Sequence, residues 1–378
     1  MKVAEFELRD RDEDYININP LQTAGKTYAD TRKAIISYID GYSVCDWCKG
    51  DLCSIEKPPV KKFLEDVSGF LGMDSTILTN GCREAKYSVL HTLTEHGDSV
   101  VVDGNKHYTT YVAAERAGLK IYEVKSSGHP EFKIEPEGYA EAFEKVKAET
   151  GRLPKVAVLT HVDGSYGNIV DSAKVSGICR DYGVPLLLNT AYSSGRMPVD
   201  GKKLGADFIA CSCHKSWAAG GGNIGLLATT DEWSDNLFRQ STEYKVKTLE
   251  ILGCSTRGSS TLALMASYPH VKERVKRWDT EVENARWLVD ELERLGLKPL
   301  GVQPTEHDLN FVESDVLYEI SQTHKKKNFY LYHELKRRGV VGVKAGLTKQ
   351  FKFSTYGKSR EQVEHLAWAF KDIIEKFG

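Results

Sequence analysis

Short apolar runs alternate with stretches of helical length through the middle of the chain. The apolar runs have the length of buried strands and cover 99–105, 119–125, 155–163, 184–189, 207–214 and 224–229. The segments between them at 108–117, 137–149 and 171–182 carry apolar residues at helical spacing. Strands that alternate with helices form βαβ units. The sequence therefore predicts an α/β fold with a mostly parallel sheet.

The pattern changes in the last third of the chain. A long, highly charged helical stretch covers 268–296, strand-like runs follow at 340–346 and 351–357, and an amphipathic helix closes the chain. We therefore expect a smaller α+β domain at this end. The predicted organisation is an N-terminal segment with a cysteine cluster over 1–60, a large α/β domain over 61–260 and a small domain over 261–378.

Composition and charge place the chain among ordinary globular proteins. Of its 378 residues, 41% are hydrophobic and 28% are charged, and the formal net charge is −2. This near-neutral charge gives no global field that would attract nucleic acid. No apolar run approaches the roughly 20 residues that a membrane span needs, and the acidic segment 1–15 lacks the apolar core of a signal peptide. We expect a cytoplasmic protein without a membrane partner.

Cysteines cluster near the start of the chain. Eight are present, and in a chain without a signal peptide we expect them to be thiols. Cys45, Cys48 and Cys53 lie in a polar segment, where a buried apolar cysteine is unusual. Their spacing favours metal, iron–sulfur or redox chemistry. A complete zinc site usually has four ligands, however, and the chain has no second C-x-x-C motif.

Three segments of the predicted large domain place polar groups at strand or helix ends. Gly81 precedes a helix that begins near Cys82, and the N–H groups of such a terminus can hold a phosphate. Asn189 ends an apolar strand, at the sheet edge where α/β proteins bind ligands. Lys215 lies between an apolar strand and the glycines at 220–222.

Lys215 by itself would be interpreted as a surface lysine. A lysine removed from water has a lowered pKa and can act as a Schiff-base nucleophile. Its position about 25 residues after Asn189, and downstream of the phosphate-type turn at Gly81, favours this second interpretation.

These features resemble the fold-type I pyridoxal-phosphate enzymes, the superfamily of aminotransferases and cysteine desulfurases. The resemblance covers nearly the whole chain. Within it, four segments resemble the archaeal O-phosphoseryl-tRNA:cysteinyl-tRNA synthase family, whose members convert phosphoserine attached to tRNA(Cys) into cysteine. These segments are GYSVCDWC at 41–48, NGCREAK at 80–86, LLLNTAY at 186–192 and CHKSWAAGG at 213–221.

The resemblance implies a pyridoxal 5'-phosphate site and roles for its residues. Lys215 would hold the cofactor and move the Cα proton, and His107 would stack on the pyridine ring. Asn189 stands where most of the superfamily has an aspartate, and an amide cannot protonate the ring nitrogen. Without that protonation the cofactor ring withdraws electrons less strongly than in most of the superfamily. This suits loss of phosphate from Cβ, followed by addition of sulfur. The residues expected to contact the cofactor are Gly81, Cys82, Arg83, Glu84, His107, Asn189, Ser212, Cys213, His214 and Lys215.

The resemblance also assigns the sulfur chemistry to Cys45, Cys48 and Cys254. The sulfur would be carried as a persulfide or in an iron–sulfur cluster held by these three residues, and no other metal ligand is expected. Cys53 lies outside the family pattern, so its role is open. Candidate cations that would favour a reactive thiolate are Lys26, Arg83 and Arg257.

The implied partners are tRNA(Cys) carrying phosphoserine, a second copy of the chain in a homodimer, and phosphoseryl-tRNA synthetase as a further candidate. The sulfur donor is not identified by the sequence. A basic segment at 324–339 interleaves aromatic residues with lysines and arginines, which suits contact with RNA phosphates and bases. The alternative is a solvated helix face, which is also our interpretation of the basic run at 272–277.

Two other functions fit parts of the sequence. A cysteine desulfurase usually has an arginine in an R-x-S-F segment that binds a free carboxylate, whereas this chain reads FKFS at 351–354. An amino acid esterified to tRNA has no free carboxylate, so the missing arginine fits the tRNA-bound substrate. A tRNA-binding sulfur scaffold with an inactive cofactor site is the other alternative, and the presence of Lys215 argues against it.

Overall fold

The computed structural model describes residues 15–40, 44, 48–254, 256 and 258–378. They form two compact units, one of residues 24–279 and the other of residues 15–23 together with 280–378. These units differ from the predicted segments, which end at 60 and 260, and the three-part division stays a prediction. The division at 279 falls within a helix of residues 278–294, so no loop composition marks it in the sequence.

The strands and helices are numbered in chain order. The strands are β1 (Ile16–Asn17), β2 (Ser75–Thr79), β3 (Ser99–Asp103), β4 (Lys120–Val124), β5 (Val156–Thr160), β6 (Leu186–Asn189), β7 (Phe208–Ser212), β8 (Gly225–Thr229), β9 (Leu297–Leu300), β10 (Leu309–Ser314), β11 (Val340–Val341) and β12 (Gln350–Ser354). The helices are α1 (Ala29–Ser37), α2 (Val60–Phe70), α3 (Cys82–Leu93), α4 (Tyr108–Arg116), α5 (Gly138–Thr150), α6 (Ser172–Tyr182), α7 (Gly201–Leu204), α8 (Cys213–Ser216), α9 (Asp231–Leu237), α10 (Gly258–Arg274), α11 (Trp278–Arg294), α12 (Asp315–Thr323), α13 (Tyr330–Arg337) and α14 (Arg360–Phe377).

A seven-stranded sheet forms the centre of the unit of residues 24–279. Its strand order is β2-β8-β7-β6-β5-β3-β4. Strands β4, β3, β5, β6 and β7 pair in parallel, whereas β8 runs antiparallel to both β7 and β2. The predicted α/β fold with a mostly parallel sheet is therefore confirmed.

Successive residues of the inner strands alternate between two apolar layers. On β6, Leu186 and Leu188 belong to the cluster that includes apolar residues of α2, α5 and α6. Leu187 belongs instead to the cluster that includes residues of α3 and α4. Because both faces are covered, these strands are apolar along their length, as parallel strands usually are.

Polar residues interrupt this apolar pattern where the strands end. Strands β3, β5, β6 and β7 are parallel, and β2 points the same way because two antiparallel pairings separate it from β7. Their last residues therefore meet at one edge of the sheet, and all are buried: Thr79, Asp103, Thr160, Asn189 and Ser212. Ligands of open α/β sheets bind at this carboxyl edge.

The unit of residues 15–23 and 280–378 is built on a three-stranded antiparallel sheet in the order β12-β10-β9. Helix α14 begins with a capping box, in which the Ser359 hydroxyl accepts the Gln362 N–H at 3.3 Å and the Ser359 N–H is bound by the Gln362 side chain. The strand predicted at 340–346 is shorter and pairs only Val340–Val341 with β1. It stops before Gly342, where a Cβ would lie 2.4 Å from the Asn19 nitrogen.

The long helix predicted over 268–296 is divided into α10 and α11. A 3₁₀ turn over Val275–Arg277 separates them. Next to this turn the buried Arg274 guanidinium donates to the carbonyls of Gly195 and Ala24, each at 2.9 Å, so the end of α10 is held in place by tertiary contacts. No helix in the described part of the chain is both long and apolar enough to span a membrane.

We predict that Asp103→Asn stabilises the protein at neutral pH. One Asp103 oxygen accepts the Thr160 N–H at 2.8 Å, and Oδ1 has no hydrogen-bond partner among the described residues. Burial raises the pKa of Asp103 to about 6. Because the raised pKa disfavours the charged form in the folded protein, stability is full below about pH 4 and is lost as pH rises through 6. A neutral amide avoids that loss, which amounts to at most about 3 kcal/mol.

Urea denaturation of wild type and Asp103→Asn at pH 5 and pH 7.5 tests this prediction. The variant should gain more unfolding free energy at pH 7.5 than at pH 5. Asp181→Asn, at an exposed position near the end of α6, controls for the loss of a negative charge. An equal effect of Asp103→Asn at both pH values would show that desolvation of the carboxylate is not its cause.

Candidate active site at the carboxyl edge of the sheet

Lys215 lies on the short helix α8, directly after β7, and its side chain is half-buried. Its Nζ lies 4.7 Å from the centre of the Tyr192 ring. Burial lowers the pKa of Lys215. The positive charges that lower the pKa further are those of Lys86, Arg196 and Arg83. The amine therefore loses its proton more readily than a surface lysine, as a nucleophile or a base requires.

Helix α3 begins immediately beyond the end of β2. Gly81 precedes it with a φ of 110°, and no side chain caps the helix N-terminus. Strand β8 comes so close that a Cβ on Gly225 would lie 2.5 Å from the Gly81 Cα atom. Glu84 accepts the Asn80 N–H at 2.6 Å, so its carboxylate fixes the turn. The N-terminus of α3 thus presents backbone N–H groups and the positive end of the helix dipole at this edge.

Ser212 and His214 lie beside this helix terminus. The Ser212 hydroxyl is 3.2 Å from His214 Nε2, and a Cβ on Gly81 would be 3.6 Å from the same imidazole. His214 Nδ1 is buried and has no hydrogen-bond partner in the described part of the chain. Burial and the charge of Lys215 lower the pKa of His214, so the ring is neutral at physiological pH. A buried nitrogen in this state leaves a hydrogen bond that a ligand can complete.

Asn189 ends β6 with its side chain buried. Its Oδ1 accepts the Ala191 N–H and the Cys82 thiol, both at 3.2 Å. Burial raises the pKa of Cys82, so the thiol keeps the proton that it donates. Cys213 is also among the residues predicted to contact the cofactor. Its thiol is packed in the apolar core of the unit.

His107 caps the N-terminus of α4 and has an exposed side chain. Its Nδ1 accepts the Thr109 N–H at 3.3 Å. The buried Lys86 fixes the same turn, because its Nζ donates to Thr109 Oγ1 and Thr110 Oγ1 at 2.8 Å each. Lys86 therefore joins α3 to the helix turn that carries His107.

Three residues near Lys215 were missed by the sequence reasoning, namely Lys86, Tyr192 and Arg196. The ring of Tyr192 contacts both Lys215 and Arg196, whose Cζ lies 5.4 Å from its centre. Both Lys86 and Tyr192 lie inside segments that the sequence singled out. The sequence signal that could have identified Lys86 is its position on the apolar side of α3, next to Ala85 and one turn before Val89.

The structure brings Cys48 and Cys254 to the same glycine. Cys48 Sγ accepts the Gly50 N–H at 3.3 Å, and Cys254 Sγ is 3.8 Å from the Gly50 carbonyl oxygen. Cys45 and Arg257, two of the predicted residues, lie outside the described residues. In the part of the chain that is described, no three His, Cys, Asp or Glu side chains are arranged to hold a metal ion.

Cys53 lies close to this cysteine pair but in a different environment. Burial, with a smaller effect of Asp51, raises the pKa of Cys53 to about 12. Its sulfur therefore stays protonated at neutral pH. Lys26, which the sequence offered as a thiolate partner, is exposed, whereas Lys247 Nζ lies 3.6 Å from Cys254 Sγ.

The basic segment 324–339 presents fewer cations and rings to solvent than its sequence suggests. Arg338 pairs with Glu334 at 3.0 Å and with Asp372, and Tyr330 is buried with its hydroxyl on a backbone carbonyl. The exposed side chains of the segment include Lys325, Lys327, Phe329 and Arg337. These are the groups that an RNA could contact.

Comparison with known proteins identifies the relatives of this chain. Residues 86–374 match the family described as O-phosphoseryl-tRNA(Sec) selenium transferase. The O-phospho-L-seryl-tRNA:Cys-tRNA synthase of Methanothermobacter thermautotrophicus is 50% identical over 380 residues, which covers 100% of both chains. The protein of the same name from Methanosarcina mazei is 49% identical and matches over 96% of this chain and 94% of its own length.

Solved structures agree with this assignment. The crystal structure of the SepCysS–SepCysE N-terminal domain complex contains a chain that is 47% identical, with a TM-score of 0.91 and coverage of 98% of this chain and 97% of that one. A cysteine desulfurase from Thermococcus onnurineus NA1 shares the fold at 18% identity, with a TM-score of 0.74 over 96% of each chain. The chain therefore belongs to the family of the O-phospho-L-seryl-tRNA:Cys-tRNA synthases.

Proposed function

We propose that this protein converts O-phospho-L-seryl-tRNA(Cys) and a sulfur donor into L-cysteinyl-tRNA(Cys) and phosphate, with pyridoxal 5'-phosphate as its cofactor. The observation that carries the proposal is the environment of Lys215. Its amine has a lowered pKa directly after a parallel strand, near the positive charges of Lys86, Arg196 and Arg83. The relatives that share 47–50% of its sequence and bear the synthase name support the same reaction.

The residues at this edge fit pyridoxal phosphate. Lys215 supplies the amine that would hold the cofactor, and the N-terminus of α3 with Ser212 and His214 would bind its phosphate. The buried His214 Nδ1 that lacks a partner in the described residues is the kind of group that a bound polar ligand satisfies. His107 would lie against the ring. When bound, the cofactor supplies an electron sink that stabilises negative charge at the substrate Cα.

Lys215 would also move the proton at Cα. An amine with a lowered pKa can accept a proton near neutral pH and return it later in the reaction. Loss of the Cα proton allows the Cβ–oxygen bond to break, phosphate leaves with the electron pair, and a Cα–Cβ double bond forms. A sulfur nucleophile then adds to Cβ, and Lys215 returns a proton to Cα.

Asn189 tunes this reaction through its lack of charge. Its carbonyl oxygen already accepts the Ala191 N–H and the Cys82 thiol. The amide NH₂ can donate a hydrogen bond to a ring nitrogen, but it is not acidic enough to protonate it. A weaker electron sink favours loss of a good leaving group, which phosphate is. This residue supports elimination over amino transfer.

Cys45, Cys48 and Cys254 would deliver the sulfur. The shared contacts of Cys48 and Cys254 with Gly50 support this role, since a sulfur atom must be held a few ångströms from its acceptor in the right orientation. The sulfur would be carried either as a persulfide on one of these cysteines or in an iron–sulfur cluster that they hold.

The partners proposed for this chain are the substrate tRNA, a second copy of itself and phosphoseryl-tRNA synthetase. The solved relative in complex with a SepCysE N-terminal domain supports a protein of that kind as an additional partner. A cytoplasmic location is also a proposal, and it rests on tRNA as the substrate.

Replacing Lys215 with Ala should lower the rate of cysteinyl-tRNA formation by at least about a hundredfold, because the Cα proton loses its acceptor. The amino acid released from the tRNA after incubation with phosphoseryl-tRNA, cofactor and sulfide is the measurement. Lys147→Ala, at an exposed position of α5, should retain activity. Substantial cysteine formation by a folded Lys215→Ala variant would refute the assignment.

Replacing Cys45, Cys48 or Cys254 singly with Ala should reduce cysteinyl-tRNA formation from a protein sulfur donor but spare phosphate release. Elimination needs Lys215 and the cofactor, whereas addition needs delivered sulfur. Phosphate and cysteinyl-tRNA are measured in the same reaction. Cys179→Ala, in the apolar core, is the control for cysteine removal. Parallel loss of both products with a lowered melting temperature would instead mean that the cysteines are structural.

Changing Lys325, Lys326 and Lys327 together to Gln should weaken tRNA binding and flatten its dependence on salt. Each lost phosphate contact lowers the slope of log K against log salt by up to about 1. Binding is titrated at several salt concentrations. Changing Lys272, Lys276 and Arg277 to Gln removes the same charge from an exposed stretch of the other basic run. Equal slopes for the two triple variants would assign residues 324–339 to a solvated face.

A further inference from the structure

The His107 ring needs a fixed orientation if it is to lie against a cofactor. Its side chain is exposed at the start of α4, and an exposed side chain without contacts moves among several rotamers. In this structure Nδ1 accepts the Thr109 N–H at 3.3 Å and lies 2.9 Å from Thr109 Oγ1. Thr109 therefore holds the imidazole through two contacts on the same nitrogen.

The Thr109 hydroxyl is in turn held by the buried Lys86. Lys86 is 1% exposed, and its Nζ donates to Thr109 Oγ1 and Thr110 Oγ1 at 2.8 Å each. A protonated amine has only donors, so the Thr109 oxygen accepts from it and can donate its own proton to the imidazole nitrogen. The hydrogen bonds thus run from a buried amine, through one hydroxyl, to an exposed ring.

Lys86 belongs to the helix whose N-terminus would bind the cofactor phosphate. It lies four residues after Cys82, the first residue of α3, and so about 6 Å further along the helix axis. The start of this helix is fixed independently, because the Glu84 carboxylate accepts the Asn80 N–H at 2.6 Å. One helix therefore carries both the phosphate-binding terminus and the amine that holds the turn of His107.

We propose that Lys86 is a positioning residue of the cofactor site, which sets the orientation of the His107 ring through the Thr109 hydroxyl. The proposal rests on the cofactor site proposed above and adds to it a residue that acts on the cofactor only through His107. A ring that is already oriented loses little side-chain freedom when a planar ligand binds against it, and this favours binding.

The charge of Lys86 offers a different explanation for any effect on the cofactor. This charge is among those that lower the pKa of Lys215, and it would also attract a phosphate group. Such an effect needs neither the Thr109 hydroxyl nor the His107 ring. The two explanations therefore predict different results when Thr109 or His107 is changed.

Binding of pyridoxal phosphate to the full-length apoprotein tests the proposal without tRNA. The dissociation constant is measured by titration from the absorbance of the bound cofactor, and visible circular dichroism reports how its ring is held. Lys86→Met removes the hydrogen-bond donors and should weaken binding about fivefold, the effect of one ordinary hydrogen bond. Thr109→Val leaves Lys86 in place and should weaken binding and change the circular dichroism band to the same extent.

A His107→Ala background shows whether the effect passes through the ring. There, neither Lys86→Met nor Thr109→Val should weaken binding further, because the ring that they orient is gone. Thr110→Val removes the other hydroxyl that Lys86 contacts and should bind the cofactor as wild type does.

Two results would overturn the proposal. A loss of affinity in Lys86→Met that persists in the His107→Ala background would assign the effect to the charge of Lys86. Wild-type affinity in Thr109→Val would show that the hydroxyl does not transmit it. Far-UV circular dichroism and the melting temperature report whether each variant is folded. If Lys86→Met does not fold, Thr109→Val with and without His107→Ala decides the question.

The outcome is separable from that of the proposed function. If wild type binds the cofactor but forms no cysteinyl-tRNA from phosphoseryl-tRNA, the proposed reaction fails while the measured affinities still decide the role of Lys86. If wild type forms cysteinyl-tRNA and Lys86→Met binds the cofactor equally well, the reaction stands and the positioning role fails.

Discussion

The removal of Lys215 from water is the constraint on which the rest of the site depends. The role proposed for Lys215 needs an unprotonated amine, and an exposed lysine is protonated at neutral pH, so the proposed role requires an amine that is partly buried and near other positive charges. The chain achieves this by placing Lys215 directly after β7, inside an edge where several parallel strands end. The same positive charges that lower its pKa make this edge attractive to an anionic ligand.

The cysteines show the same principle applied to sulfur. Cys82, Cys213 and Cys53 have pKa values raised by burial, so they remain protonated in the folded protein. Cys254 is half-buried and lies next to an ammonium group. The burial of a thiol is set by the fold, and spacing along the chain does not reveal it.

Alternating strands and helices made the fold and the place of Lys215 predictable, because both follow from local apolar patterns and from the rule that ligands bind at strand ends. Asn189 was predictable for the same reason. The contacts of Lys86 and Lys247 were not, because each reaches a segment distant in sequence, Lys86 the turn at Thr109 and Lys247 the carbonyl of Gly50. A local pattern cannot distinguish such a lysine from one in solvent.

The errors in predicted boundaries have a similar origin. The apolar run at 340–346 satisfies a strand pattern, but Gly342 meets the Asn19 backbone and pairing stops after two residues. The charged stretch at 268–296 satisfies a helix pattern, but it is broken beside Arg274, whose guanidinium binds carbonyls of two other segments. In both cases periodicity was present, and a contact between distant parts of the chain ended the element.

The polar edge itself reduces the stability of the fold. Asp103 keeps a carboxyl oxygen without a partner among the described residues, and His214 keeps a ring nitrogen in the same state, each at a cost of about 1–3 kcal/mol. The two covered faces of the sheet offset the loss, since Leu186, Leu187 and Leu188 are all fully buried. The buried sheet therefore stabilises an edge whose unpartnered polar groups lower the stability of the chain.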